Sequence, residues 1–311
     1  MHVLRLPLVL VAAFAAMSQS LDHDPMREGP PQGPSAGASD REGHVRSADG
    51  VPVGFTVRGS GDTALLFIHG GLADRGFWAP QLSGLTDRYR VVAIDLAGHG
   101  TSGRDRKAWT IPAFAEDVRA VALGLDLRRV VLIGNSLGGP VALEAARLLR
   151  GRAIGVVGVD TLHDATEKLD PAQASARAAA FRKDFTGTCR AMVDQLFHKG
   201  AQQELHAWAE RRMCAMPPEI GAGIMEGFGG YDVAAAFRGA GVPIRAINGD
   251  LWPIDVARNR TVTPDFDAVV MKNVGHYPML ERPEEFNQLL VEIIRGFEHA
   301  GGPPKPAPQG S

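Results

Sequence analysis

The chain has 311 residues and only two cysteines, Cys189 and Cys214. It contains no C-x-x-C, no H-E-x-x-H and no group of histidines and acids at ligand spacing, so no metal site is expected. No glycine-rich dinucleotide fingerprint occurs, and no cofactor is implied. The formal net charge is −2 and no basic stripe stands out, which argues against a nucleic acid partner. The N-terminal apolar run, Leu6 to Ala16, is eleven residues long. A bilayer-spanning helix needs about 20, so stable membrane insertion is not expected. There is no internal repeat, and no cysteine follows the apolar run to suggest a lipid anchor.

That run does fit an export signal. His2 and Arg5 give a weakly basic start, and Ser18 and Ser20 are small residues suited to cleavage, so residues 1–20 read as a signal peptide and the protein as periplasmic or secreted. Residues 21–43 are rich in proline, glycine, serine and charge and read as a disordered linker; residues 300–311 read as a disordered tail. One folded domain is expected over residues 44–299.

Within it, His44–Ala48 and Val51–Arg58 alternate around Asp49-Gly50, a hairpin signal. Short continuous apolar strands follow at Ala64–Ile68, Arg90–Ile94, Val130–Asn135, Ile154–Val159, Val242–Ile247 and Ala268–Met271. Helical patterns separate them. Thr110 is placed to cap one, with Pro112 in its first turn. Pro283 opens the last, whose Phe286, Leu289, Leu290, Ile293, Ile294 and Phe297 share one face. Apolar strands alternating with helices imply an α/β fold: a mostly parallel eight-stranded sheet, covered on both faces, with an antiparallel edge from the hairpin. Residues 165–231 interrupt the alternation with helical composition alone, as a small helical cap would.

Gly134-Asn135-Ser136-Leu137-Gly138 joins the strand Val130–Asn135 to a helix beginning near Gly139. A serine on so sharp a turn sits in a strained backbone, and the flanking glycines let strand and helix pass closely. With His69-Gly70-Gly71, Asp95-x-x-Gly98-x-Gly100 and Val274-Gly275-His276 in this order, the domain resembles the α/β-hydrolase superfamily over nearly its whole length. The resemblance implies a nucleophile elbow at Ser136 and a general base at His276, and it places an oxyanion hole at the backbone N–H groups of Leu137 and Gly71. His69 and His99 belong to glycine turns and read as structural; His163 is an outside candidate near the expected acid.

The third member departs from the common pattern. Superfamily members usually carry an aspartate three residues after a glycine at the end of the seventh strand. Here the stretch is Gly249-Asp250-Leu251-Trp252-Pro253 and that position holds Trp252. An indole has no charge with which to stabilise an imidazolium. Asp160, at the end of the sixth strand, is the first alternative, because some superfamily members place the acid there. Asp250 is the second, with Asp164 and Asp255 behind it.

The cap stretch holds Phe181, Phe185, Met192, Phe197, Trp208, Met213, Met216, Met225 and Phe228, divided between its own packing and an apolar pocket over Ser136. Cys189 is expected to open one cap helix and Cys214 to close the next, which would bring the thiols together in an antiparallel hairpin. The expected activity is a carboxylesterase-type serine hydrolase acting on an ester or lactone with an apolar part, through an acyl-enzyme. A carbon–carbon bond hydrolase of the meta-cleavage type, or a non-enzymatic ligand binder on a hydrolase scaffold, are the alternatives.

Overall fold

The structure, a computed structural model, describes residues 41–300 apart from 169. The stretch read as a signal peptide, most of the expected linker and the residues beyond Ala300 lie outside the described residues. The linker's last three residues do not: β1 runs over Arg41–Arg46, so the sheet begins three residues before the expected domain edge.

Eight strands form one sheet in the order β1-β2-β4-β3-β5-β6-β7-β8. The others are β2 (Pro52–Arg58), β3 (Ala64–Ile68), β4 (Arg90–Ile94), β5 (Val130–Asn135), β6 (Ala153–Val159), β7 (Ile244–Asn248) and β8 (Asp267–Val270). β1 and β2 pair antiparallel, as does β2 with β4; every other pair is parallel. The central strands β3, β4 and β5 are buried almost throughout. That is why they read as unbroken apolar runs without alternation.

The helices are α1 (Ala79–Gly84), α2 (Ile111–Gly124), α3 (Gly138–Leu148), α4 (Pro171–Lys183), α5 (Phe185–Gln195), α6 (Gln203–Met213), α7 (Pro218–Glu226), α8 (Val233–Ala240), α9 (Val256–Val262), α10 (Pro278–Glu281) and α11 (Pro283–Ala300). Thr110 caps α2 by accepting from the Ala113 N–H. α11 buries Phe286, Leu290, Ile294 and Phe297 against the sheet. Each such side chain contributes about 1.5–3 kcal/mol by leaving water. Phe297 lies where Gly155 of β6 leaves room for its ring.

Helices α4 to α7 form the cap between β6 and β7. An isolated antiparallel bridge between Lys168 and Asp232 ties the chain entering this insertion to the chain leaving it. Cys189 and Cys214 are joined in a disulfide, with Cα atoms 5.7 Å apart. Cys214 caps the end of α6 as expected; Cys189 sits in the second turn of α5, because Asp184 caps that helix one turn earlier than the sequence suggested. No described helix is long and apolar enough to cross a membrane.

Candidate active site

Ser136 stands between the end of β5 and the start of α3 with φ +52°, in the left-handed region that a side chain enters only under strain. The glycines around it are sterically required. A Cβ on Gly134 would overlap the Gly138 carbonyl, and one on Gly139 would overlap the Thr161 side chain. The turn is also held by hydrogen bonds. Ser136 donates its N–H to the Val159 carbonyl of β6 (3.2 Å), and its own carbonyl accepts from the Thr161 hydroxyl (2.9 Å).

His276 follows β8 on the loop before α10. Its Nδ1 lies 2.5 Å from Asp160 Oδ2. Asp160 ends β6 in a left-handed conformation, φ +45°, and is 1% exposed. Its second oxygen, Oδ1, accepts from the Gly249 N–H at 2.9 Å. The glycine of the usual seventh-strand motif is therefore present, and its amide serves the carboxylate of the neighbouring strand.

Asp250 is not brought to His276. Its Oδ1 lies 2.7 Å from Nε2 of His198, and its Oδ2 accepts from the Asn273 N–H at 3.1 Å. These backbone and imidazole contacts hold its carboxyl below the usual carboxylate range. Asp164 bonds Thr166 and Arg258, and Asp255 caps α9, so neither competes for the histidine. His163 does lie beside the acid, with Nε2 4.0 Å from Asp160 Oδ1 and no hydrogen-bond partner. Burial depresses its pKa, against the pull of the Asp160 charge.

The N–H groups of Gly71 and Leu137 donate to no protein acceptor among the described residues. Two buried histidines frame the Gly71 peptide. His69 accepts from the Leu96 N–H at Nε2 (3.0 Å), which leaves Nδ1–H to donate to the Gly70 carbonyl (2.7 Å). His99 accepts from the Leu72 N–H at Nε2 (3.3 Å) and turns Nδ1 to the Ala97 carbonyl (3.0 Å). Both roles need neutral rings, and burial lowers the two pKa values to about 4 and about 3. Gly71 itself has room for a side chain; the close approach to the elbow is made by Gly70, whose absent Cβ would meet Asn135 and Ser136.

Sequence reasoning missed the residues that fasten His276 from behind. Asn135 donates through Nδ2 to both the Val159 and His276 carbonyls, at 2.9 and 3.0 Å. The His276 N–H donates to the Leu196 carbonyl at the end of α5 (2.8 Å). Asn135 sat inside the elbow motif and could have been suspected as a buried amide. The Leu196 contact is made by backbone and leaves no side-chain signal.

Ser136, His276, Asp160, Gly71 and Leu137 all line one cavity of about 530 Å³ under the cap. The nine apolar cap residues divide. Met192, Met213, Met225 and Phe228 face the cavity, whereas Phe181, Phe185, Phe197, Trp208 and Met216 are buried in packing. The outer wall carries Lys168, Arg177, Glu167 and Asp170. Trp252 also lines the cavity, edge-on to the His276 ring with centroids 5.5 Å apart.

Comparison with known proteins follows the same outline. A family described as the alpha/beta hydrolase family matches residues 65–289. A thermophilic esterase from Thermogutta terrifontis superposes with a TM-score of 0.73 at 25% identity, covering 83% of this chain and 99% of that one. The pimeloyl-[acyl-carrier protein] methyl ester esterase of Yersinia enterocolitica is 25% identical over 78% of this chain and 96% of its own length. An uncharacterized protein of Mycobacterium tuberculosis is 38% identical over 101 residues, a match that spans 32% of this chain and only 29% of that protein.

Proposed function

From the premise that the chain belongs to the alpha/beta hydrolase family, we propose that it is a serine hydrolase cleaving carboxylic esters or lactones. The observation that carries the reading is the buried Asp160–His276 pair at 2.5 Å in the same cavity wall as the strained Ser136.

In this reading Ser136 attacks the ester carbonyl while His276 takes its proton through Nε2. Asp160 holds Nδ1–H, fixing the tautomer that leaves Nε2 free to act as base, and its charge stabilises the imidazolium that forms. The Leu137 and Gly71 amides receive the oxyanion; each such donor is worth on the order of 3 kcal/mol in the transition state. His276 then passes its proton to the leaving oxygen, and water repeats the sequence to release the acid. The apolar cavity surface from Met192, Met213 and Met225 suits a substrate with an apolar part. The esterases to which the chain is similar support ester chemistry in particular.

The test is hydrolysis of p-nitrophenyl esters of graded chain length, with Ser136→Ala as the blank and a vinylogous 1,5-diketone as the carbon–carbon control. Ester turnover lost in Ser136→Ala is expected. Cleavage of the diketone without ester turnover would replace this reading with the carbon–carbon one.

A further inference from the structure

The proposed triad and oxyanion amides leave Trp252 without a task, although it occupies the position where an acid is usual. Only three large apolar side chains among the described residues are exposed, Leu123, Trp252 and Val269, and of these only Trp252 lines the cavity. It is 38% exposed. Its indole is not loose. Pro253 disfavours helical backbone at Trp252. The ring meets His276 at 84° and His163 at 85°, with centroids 5.5 and 6.2 Å away. An open aromatic surface, positioned by two flanking rings inside a binding cavity, is a stacking platform.

We infer that Trp252 binds the leaving group of the ester, and that the preferred substrates carry an aromatic or otherwise planar leaving alcohol; this rests on the serine hydrolase reading above. The side of the site follows from the chemistry. His276 must hand its proton to the leaving oxygen, so the departing group lies against the imidazole, and Trp252 is in contact with that ring. The Cα of Gly71, whose amide is the second oxyanion donor, faces Met225 and Ile224 of α7 instead, the side chains a Cβ there would touch. A cationic alcohol would also favour an indole. However, the cavity rim offers Lys168 and Arg177 alongside Glu167 and Asp170, and Asp164 is engaged by Arg258. The rim therefore gives a cation no advantage over a neutral ring.

The experiment compares kcat/KM for benzyl acetate and cyclohexylmethyl acetate, whose leaving alcohols match in size but differ in having a π face. It uses the full-length protein, Trp252→Leu and Trp252→Phe, each checked for folding by circular dichroism. The benzyl-to-cyclohexylmethyl ratio should fall about two- to tenfold in Trp252→Leu, the effect of one aromatic pair, and be largely restored in Trp252→Phe. Intrinsic ester reactivity cancels in this double ratio. An unchanged ratio in Trp252→Leu overturns the leaving-group assignment. So does a parent protein that hydrolyses neither ester while a fluorophosphonate still labels Ser136, a result that spares the serine reading. Absence of both hydrolysis and labelling overturns the two together.

Discussion

Replacing Asp160 by Asn is the perturbation on which the geometry speaks most clearly. The carboxylate has two separate tasks, one per oxygen. Oδ1 accepts the Gly249 N–H at 2.9 Å, and Oδ2 faces His276 Nδ1 at 2.5 Å. Asparagine keeps the shape and one acceptor. If that acceptor stays with Gly249, the amide NH₂ faces Nδ1 and selects the opposite tautomer, with the proton on Nε2 where the base should be empty. If the amide flips, Nδ1–H keeps an acceptor but the Gly249 amide meets a donor at a site 1% exposed to solvent. In both cases the charge that stabilises the imidazolium is gone. The expected loss is up to about 10⁴ in kcat, or about 5.5 kcal/mol of transition-state stabilisation. Asp250→Asn should cost tenfold or less, because its carboxylate touches His198 and two loop amides and not the His276 side chain. The assay is steady-state hydrolysis of p-nitrophenyl acetate by both variants, with thermal melts to show that each is folded. Near-normal turnover in Asp160→Asn, or an equal loss in Asp250→Asn, would refute the assignment of the acid.

Two further outcomes follow from the structure. The disulfide closes a loop of sequence separation 25, which corresponds to about 3.5 kcal/mol of stabilisation from chain entropy. Cys189→Ala/Cys214→Ala should lower the denaturant midpoint accordingly, and the native protein should gain two mass units on reduction. His69 and His99 are neutral in the folded state, with pKa values of about 4 and about 3 against 6.5 when unfolded. The unfolded chain thus binds more protons, and stability present above pH 6.5 should drain away as pH falls towards 4, by roughly 3 kcal/mol from His69 alone. Denaturant midpoints that do not change between pH 7 and pH 4.5 would contradict this.

Most of the fold was legible because its signals are local. Fully buried strands read as short apolar runs, Thr110 and Pro283 mark helix starts, and Gly134 of the elbow is demanded by the Gly138 backbone four residues on. Strand limits at β6, β7 and β8 moved by a residue or two: β6 begins one residue earlier at Ala153, β7 begins two residues later and ends on Asn248, and β8 is shifted one residue back to start at Asp267. The end of α5 that binds the His276 backbone was not legible. The contact joins Leu196 and His276 through main-chain atoms, and any residue could supply it. The choice of Asp160 over Asp250 was only partly legible. Both aspartates follow strand ends on the same sheet edge, and the difference lies in which way each carboxylate turns. For Asp160 that is set by a left-handed backbone and by the Thr161–Asn248 pairing that anchors the next residue, neither of which the sequence announces.

The central claim is that Ser136 forms an acyl-enzyme. The direct measurement is mass spectrometry of the protein after treatment with a fluorophosphonate and, separately, after rapid acid quench from a p-nitrophenyl ester. A single adduct on the peptide carrying Ser136, absent in Ser136→Ala, is the predicted result. Adduct formation on another residue, or ester turnover that persists in Ser136→Ala, would contradict it.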